Sequence, residues 1–149
     1  MAATGAKIGK KTQFLRETTP GGGVYAAVAE VKTINGLKMS RTAVDATNND
    51  SPNDFEEFIA GLGTAGEIDL LLNFRPEHAS QGATTGLLAD FLAGTVRGWQ
   101  IQWPQFTSTP TATCNGFLIG HEVVSTHKDL VTVSVKVKLT GEPVLTNFA

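Results

Sequence analysis

The sequence predicts a mainly β fold, antiparallel and sandwich- or barrel-like, with one flanking α-helix and one long inter-strand loop. Three observations predict it. Residues 129–140 alternate almost perfectly, with Val131, Val133, Val135, Val137 and Leu139 on one face and Thr132, Ser134, Lys136, Lys138 and Thr140 on the other. Ile68, Leu70, Leu72 and Phe74 repeat that period of two within 67–75. The stretch 84–93 instead spaces Leu87, Leu88, Phe91 and Leu92 as one side of a helix. A period of two means a strand packed on one side and wet on the other. One-sided sheets of this kind build sandwiches and barrels, and also rings whose second face lines a channel.

Taken in order, residues 1–12 are small, polar and weakly basic and read as a flexible N-terminal arm. Thr12–Arg16 is a short strand, and Thr18–Gly23, with Pro20 and three consecutive glycines, is a loop. Val24–Ile34 is β-compatible, and Asn35-Gly36 supplies a type I′ hairpin signal leading into a second strand over Leu37–Thr47. A long loop then runs over 45–66. Within it, Asp54 reads as the N-cap of a short helix carrying Glu56, Glu57, Phe58, Ile59 and Leu62, stopped by Gly61 or Gly63. Loops of this length in compact domains are usually functional or disordered. Strand Glu67–Arg75, the helix within Thr84–Ala93 stopped by Gly94, and a strand in which Trp99, Ile101 and Trp103 alternate with Gln100 and Gln102 follow. Cys114–Val124 and Leu130–Thr140 close the fold as a hairpin, leaving 143–149 as a C-terminal tail. No repeat or linker divides the chain, so 1–149 reads as one domain.

Composition narrows the function. With 149 residues, 41% hydrophobic and 17% charged, the chain has material for a core and is not disordered. A net charge of −2 argues against a protein that grips nucleic acid. The lone Cys114 cannot form an intramolecular disulfide. The N-terminus lacks the apolar core of a signal peptide, and no apolar run is long enough to span a bilayer, so the expectation is a soluble protein made inside the cell and away from membranes.

Catalytic and cofactor chemistry is hard to assemble. Gly61-Leu62-Gly63-Thr64-Ala65-Gly66 matches a dinucleotide fingerprint, but that motif works only between a strand and the helix it opens, and here the order is reversed. The glycines read as letting the excursion turn back into the sheet. His78, His121 and His127 lack a spacing that completes a zinc site. Cys114 reads as a small buried hydrophobe, and Glu56-Glu57 as helix-dipole charges. Trp99 and Trp103 read as core or subunit-interface residues. The expectation is no enzyme, no cofactor and no metal.

The order of the segments resembles a known family. Ser40-Arg-Thr-Ala-Val-Asp-Ala-Thr-Asn-Asn-Asp-Ser51 leads into Asp54-Phe-Glu-Glu-Phe-Ile-Ala-Gly-Leu62 and the strand Gly66–Phe74. The helix Leu87–Leu92 precedes Trp99-Gln-Ile-Gln-Trp103, and Cys114–Gly120 runs into Val131–Pro143. This series, over about residues 8–143, resembles the major tail tube protein of long-tailed, lambda-like bacteriophages, with V-D-x-T-N-x-D followed by E-E-F-I-x-G-L its most telling part. The resemblance implies a small β-sandwich with a flanking helix, whose hexameric rings stack into a hollow virion tail tube assembled in the host cytoplasm. It implies four kinds of partner: further copies of the chain, a tape-measure protein, tail terminator and tail-tip initiator proteins, and phage DNA that passes the lumen without specific binding. The extra C-terminal immunoglobulin-like domain of lambda's tube protein is not expected here. On this reading Phe55, Phe58, Ile59 and Leu62 contact the adjacent ring, and Arg41, Asp45, Glu67 and Asp69 line the lumen. The alternatives are a type VI secretion-like tube protein, a monomeric β-barrel that binds a small ligand, and a small hydrolase or nucleotide enzyme.

Overall fold

A computed structural model describes residues 4–149. Among the described residues nine strands and one α-helix make up the fold, mainly antiparallel β as the alternation predicts. Seven strands form one open antiparallel sheet in the order β2 (Tyr25–Ala27), β1 (Gln13–Glu17), β7 (Arg97–Gln102), β8 (Thr111–Val124), β9 (Thr132–Thr146), β6 (Glu67–Asn73) and β3 (Val31–Asn35). The sheet curls until β1 touches β3 across the core. A separate two-stranded ribbon, β4 (Ser40–Asp45) and β5 (Phe58–Thr64), stands outside it.

The two alternating segments do what their period requires. Ile68, Leu70 and Leu72 of β6 and Val133, Val135, Val137 and Leu139 of β9 are buried together, while Val131, just before the strand, stays part exposed. From the other wall Phe14 stacks on Trp99, with ring centroids 5.5 Å apart. The Trp99 indole N–H donates to the Gly116 carbonyl at 3.1 Å, so the buried ring leaves no polar group unpaired. Each side chain of this size, fully buried, is worth roughly 1.5–3 kcal/mol of transfer free energy.

Helix α1 (Leu87–Ala93) packs on β8 and ends at Gly94, whose left-handed φ of 66° lets its N–H reach the Asp90 carbonyl. Its buried side is not the predicted apolar stripe. Leu87 and Asp90 point inward, whereas Phe91 and Leu92 remain exposed. Asp90 is buried because two cations meet it: Arg16 binds both carboxylate oxygens, at 2.5 and 2.8 Å, and Arg97 reaches Oδ1 at 3.1 Å. Arg97 also donates to the Glu17 carbonyl. The Glu17 carboxylate in turn accepts backbone N–H bonds from Gly21, Gly23 and Gly98 at 2.9, 3.1 and 3.2 Å. The glycine-rich loop 18–24 is thereby pinned to the sheet.

Four segments depart from the sequence reading. Asn35-Gly36 forms no hairpin, because β3 pairs with β6 rather than with β4. Val31 and Ile34 pack against the core there, and Gly36 lies where a Cβ would stand 2.9 Å from Ile68 Cγ1. Its glycine therefore serves close approach, not a turn. Val24–Ile34 splits at Glu30, a left-handed residue with φ 64°, into two strands that belong to opposite ends of the sheet. The predicted helix after Asp54 is strand β5, preceded by a 3-10 turn at Pro52–Asp54. Ala-Gly-Leu-Gly-Thr is a poor helix former, and pairing with β4 overrides the spacing of its apolar residues. The excursion 45–66 therefore leaves the main sheet as one strand of a ribbon, not as a helical turn. Gly66, with φ 78° and the Lys38 carbonyl 2.2 Å from any added Cβ, is the glycine that returns it to the sheet. Finally, 143–146, read as tail, continue β9 beyond Gly141 and pair with the start of β8. In the N-terminal arm, residues 1–3 lie outside the described residues, and the Gln105 amide donates to the Ile8 carbonyl and the Thr12 hydroxyl.

Glu17 gives the fold an acid-sensitive point. Burial pushes its carboxyl upward, but the three backbone donors and Arg97 outweigh that and hold it below the ordinary value of 4.5. A lowered folded value contributes stability that is complete above the unfolded value and is lost as pH falls through the folded one. Glu17→Gln should lower stability at neutral pH by about 1–3 kcal/mol, because buried donors lose a charged acceptor. It should also flatten the loss of stability between about pH 5 and pH 3, measured as urea midpoints across that range. An acid limb as steep as that of the unaltered protein would show that other carboxylates dominate it.

Candidate functional site

The feature left over once the core is built is the β4–β5 ribbon. Five of the six β4 to β5 register positions pair directly, from Ser40 opposite Thr64 to Asp45 opposite Phe58, with a bulge between Arg41 and Ala43. All of β4 is exposed, and so is β5 except Gly61. Cross-strand partners share a face, so Val44 and Ile59 present apolar groups on one side and Phe58 on the other. Phe58 is 55% exposed, Ile59 59%, Phe55 74% and Leu62 90%, so none of them is core. A two-stranded hairpin with water on both faces is marginal on its own. This much clustered apolar surface on one projection marks an interaction site.

The ribbon tip is polar yet ordered. Thr47 Oγ1 accepts the Glu57 N–H at 2.8 Å, and the Ala46 N–H donates to the Glu57 carbonyl at 2.8 Å. Asn48 Oδ1 accepts the Asp50 N–H, and Ser51 Oγ donates to the Glu57 carboxylate at 2.7 Å. These local side-chain to backbone bonds are what Asn, Asp, Ser and Thr supply in turns. Asp45, Asp50, Asp54, Glu56 and Glu57 make residues 45–57 acidic, with no Lys or Arg among them.

The residues expected to line a channel fall on two elements. Arg41 and Asp45 are on the ribbon, where Arg41 donates to the Gly61 carbonyl at 2.8 Å and Asp45 accepts the Thr47 N–H. Hydrogen bonds from the Thr47 side chain and backbone hold the Asp45 carboxyl below its ordinary value. Glu67 and Asp69 sit on the outer face of β6, opposite Lys138 and Lys136 of β9. Asp69 pairs with Lys38, and Glu67 with Lys136 at 3.6 Å. The two pairs of residues therefore engage different partners on different sheets.

The candidates for other chemistry take structural positions. Burial pushes the Cys114 thiol up to about 12, and its sulfur lies against the Trp99 carbonyl. Burial likewise lowers His121, whose ring packs 6.5 Å from that of Phe91. His78 Nδ1 lies 2.8 Å from the Ser80 hydroxyl, within its own loop. Trp103, half-buried, meets Phe148 edge-on at 5.8 Å. Among the described residues no group of three or more His, Cys, Asp or Glu side chains is arranged to hold a metal ion, and no helix is long and apolar enough to cross a membrane.

Comparison with known proteins gives this ribbon-bearing sheet a context. A family model described as "Lambda phage tail tube protein, TTP" matches residues 16–146. No curated protein matches the chain. Among solved structures, the tail of an empty gene transfer agent particle, refined with C6 symmetry, superposes with a TM-score of 0.74 at 19% identity, covering 95% of this chain and 99% of that one. The virion of the native gene transfer agent gives 0.75 at 15% identity, with the same coverage of 95% and 99%. The SPP1 tail tube gives 0.66 at 10% identity over 93% of this chain and 77% of that one.

Because Leu62 contributes nothing to the core, Leu62→Asp should leave the subunit folded. Its far-ultraviolet circular dichroism should match the unaltered protein and its stability should change by no more than about 0.5 kcal/mol. A collapse of the spectrum would mean that the ribbon folds back on its own domain.

Proposed function

The chain belongs to the lambda phage tail tube protein family, and from that premise we propose that its copies close into hexameric rings which stack into a hollow tube for DNA delivery to the host. It is a structural component of the phage virion tail and not an enzyme. The observation that carries the polymeric reading is the ribbon: a self-sufficient core bears a projection with apolar side chains on both faces and nothing of its own to cover them. Burying one such side chain is worth roughly 1.5–3 kcal/mol, a gain repeated at every subunit. The gene transfer agent tail refined with C6 symmetry, and a similarly folded chain in a sixfold-symmetrised anti-feeding prophage baseplate (TM-score 0.62, 9% identity), support a six-membered ring.

In this reading Phe55, Phe58, Ile59 and Leu62 contact the adjacent ring. Contacts between subunits in the tube cover the free edges of β2 and β3, which an open sheet otherwise leaves as templates for uncontrolled pairing. A heterologous contact closes within the ring, whereas ring-on-ring stacking is open and makes a filament. Glu67 and Asp69, with Arg41 and Asp45, line the lumen. The ion pairs of Asp69 with Lys38 and Glu67 with Lys136 offset two of the lysines on that wall and, among the described residues, leave only Lys138 there without an acidic partner, which suits DNA that must slide and not be held. A tape-measure protein inside the tube, and terminator and tip-initiator proteins at its ends, complete the set of partners in the host cytoplasm.

Purified protein, supplied with tail initiation components and viewed by negative-stain microscopy, should form tubes with sixfold end-on views, and Leu62→Asp should be folded but fail to stack. A species that stays monomeric at high concentration under those conditions would overturn the polymeric reading. The lumen assignment has its own test. Asp69→Lys removes the partner of Lys38 and places six added cations per ring along the passage, which should slow genome release, most strongly at low salt. Unchanged release kinetics at low salt would place Asp69 on the outer surface.

A further inference from the structure

The acceptor for the ribbon tip is also visible in the chain. A cleft of about 570 Å³ opens where the curled sheet fails to close, between the N-terminal segment, β3 and the end of β7. Its floor is apolar: Ile101 is fully buried, and Val31, Ile34 and Trp103 are half-buried. Its rim is basic, with Lys10 on one side and Lys32 on the other, both exposed. One wall is β3, which pairs only with β6 and so leaves its other edge unpaired. The N-terminal segment that supplies this rim is basic, with Lys7, Lys10 and Lys11 and no acidic residue before Glu17.

The ribbon tip is the converse of this cleft. Phe55 projects from it with 74% of its surface exposed, flanked by Asp54, Glu56 and Glu57. The local hydrogen bonds at Thr47, Asn48 and Ser51 fix the tip before it meets anything, which reduces the entropy lost on docking. An aromatic anchor ringed by carboxylates fits an apolar floor rimmed by lysines, in both shape class and charge. We propose that the ribbon tip of one subunit docks in this cleft of a second copy of the chain, with Phe55 on the apolar floor and Asp54 and Glu56 against Lys32 and Lys10. This rests on the reading of the ribbon as a subunit contact and names the surface it meets. The contact is heterologous, so each copy offers one tip and one cleft, and the chain of contacts extends or closes by rotation.

Charge reversal tests the pairing. Lys10→Glu with Lys32→Glu, or Asp54→Lys with Glu56→Lys, should each raise the concentration needed for assembly by roughly tenfold or more. These four side chains are exposed, so circular dichroism should confirm a normal fold in both variants. Combining all four substitutions restores opposite charges and should recover most of the loss. Tubes that tolerate either double variant, or a quadruple variant no better than the doubles, would overturn the docking while leaving the tube reading intact. A second measurement does not depend on polymerisation. With a photo-reactive benzophenone amino acid in place of Phe55, irradiation at high protein concentration should give intermolecular cross-links, mapped by mass spectrometry to 9–12, 31–36 or 101–103. Cross-links to the cleft in a protein that forms no tubes even when supplied with tail initiation components would sustain the docking and sink the tube reading. Cross-links elsewhere, or none between copies, would overturn the docking.

Discussion

The body of this protein depends on a buried patch of four charges. Arg16 on β1, Arg97 on β7, Asp90 on α1 and Glu17 at the end of β1 balance to zero, and each is at or below 13% side-chain exposure or within the buried set. A helix of seven residues without a side-chain N-cap cannot hold itself together in water. Here its one buried carboxylate fastens it to two strands, and the same cluster pins the loop that precedes β2. Buried ion pairs are weak evidence for net stability, since desolvation offsets the attraction. Removing one partner is another matter, because it leaves a charge without compensation at a cost of about 3–5 kcal/mol. The cluster therefore acts as a register device. It ties α1 to β1 and β7 at one placement over the sheet.

Core and ribbon obey opposite rules. In the main sheet the large apolar side chains of β6 and β7, and those of β9 as far as Leu139, are mostly covered by another part of the same chain. In the ribbon almost nothing is, although its strands are paired and its tip is internally bonded. That combination of local order and exposed apolar surface suits the proposed role: a projection shaped in advance, with its burial deferred to contact with another copy. The outer β6–β9 face carries mixed charge, with Asp69 paired to Lys38 and Glu67 to Lys136, and under the proposed lumen assignment this keeps a cationic stripe away from a passing polyanion.

How much of this was legible in the sequence depended on whether the determining contacts were near or far along the chain. The alternation of Ile68–Phe74 and Val131–Leu139 reports a strand with one buried face, and neighbouring residues suffice to say so. Gly94 likewise announces its own left-handed stop. The Asn35-Gly36 signal was locally sound and globally irrelevant, because Val31 and Ile34 are held by Leu70 and Leu72 roughly forty residues away. The helical spacing of Phe55, Phe58, Ile59 and Leu62 was accidental for the same reason, with β4 as the distant arbiter. Their exposure, however, was legible from the polar sequence around them. Asp90 was invisible: within an apolar helical run a lone acid reads as the wet side, and only Arg16 and Arg97, from two other strands, turn it inward. The basic-rimmed cleft joins residues 9–12, 31–36 and 101–103, so no local pattern displays it.

The acidity of the ribbon tip has a consequence for the pool of free subunits. Exposed apolar projections on identical molecules invite one another, and a two-stranded ribbon with bare edges is a natural partner for its own twin. Five carboxylates within residues 45–57 make any such meeting of like with like repulsive. The repulsion reaches over a Debye length of about 8 Å at physiological salt, comparable to the reach of the side chains themselves. Twin ribbons are thus held apart at the distance where their hydrophobic groups would begin to touch. Pairing of ribbon with ribbon is disfavoured by the same few residues that flank the apolar groups.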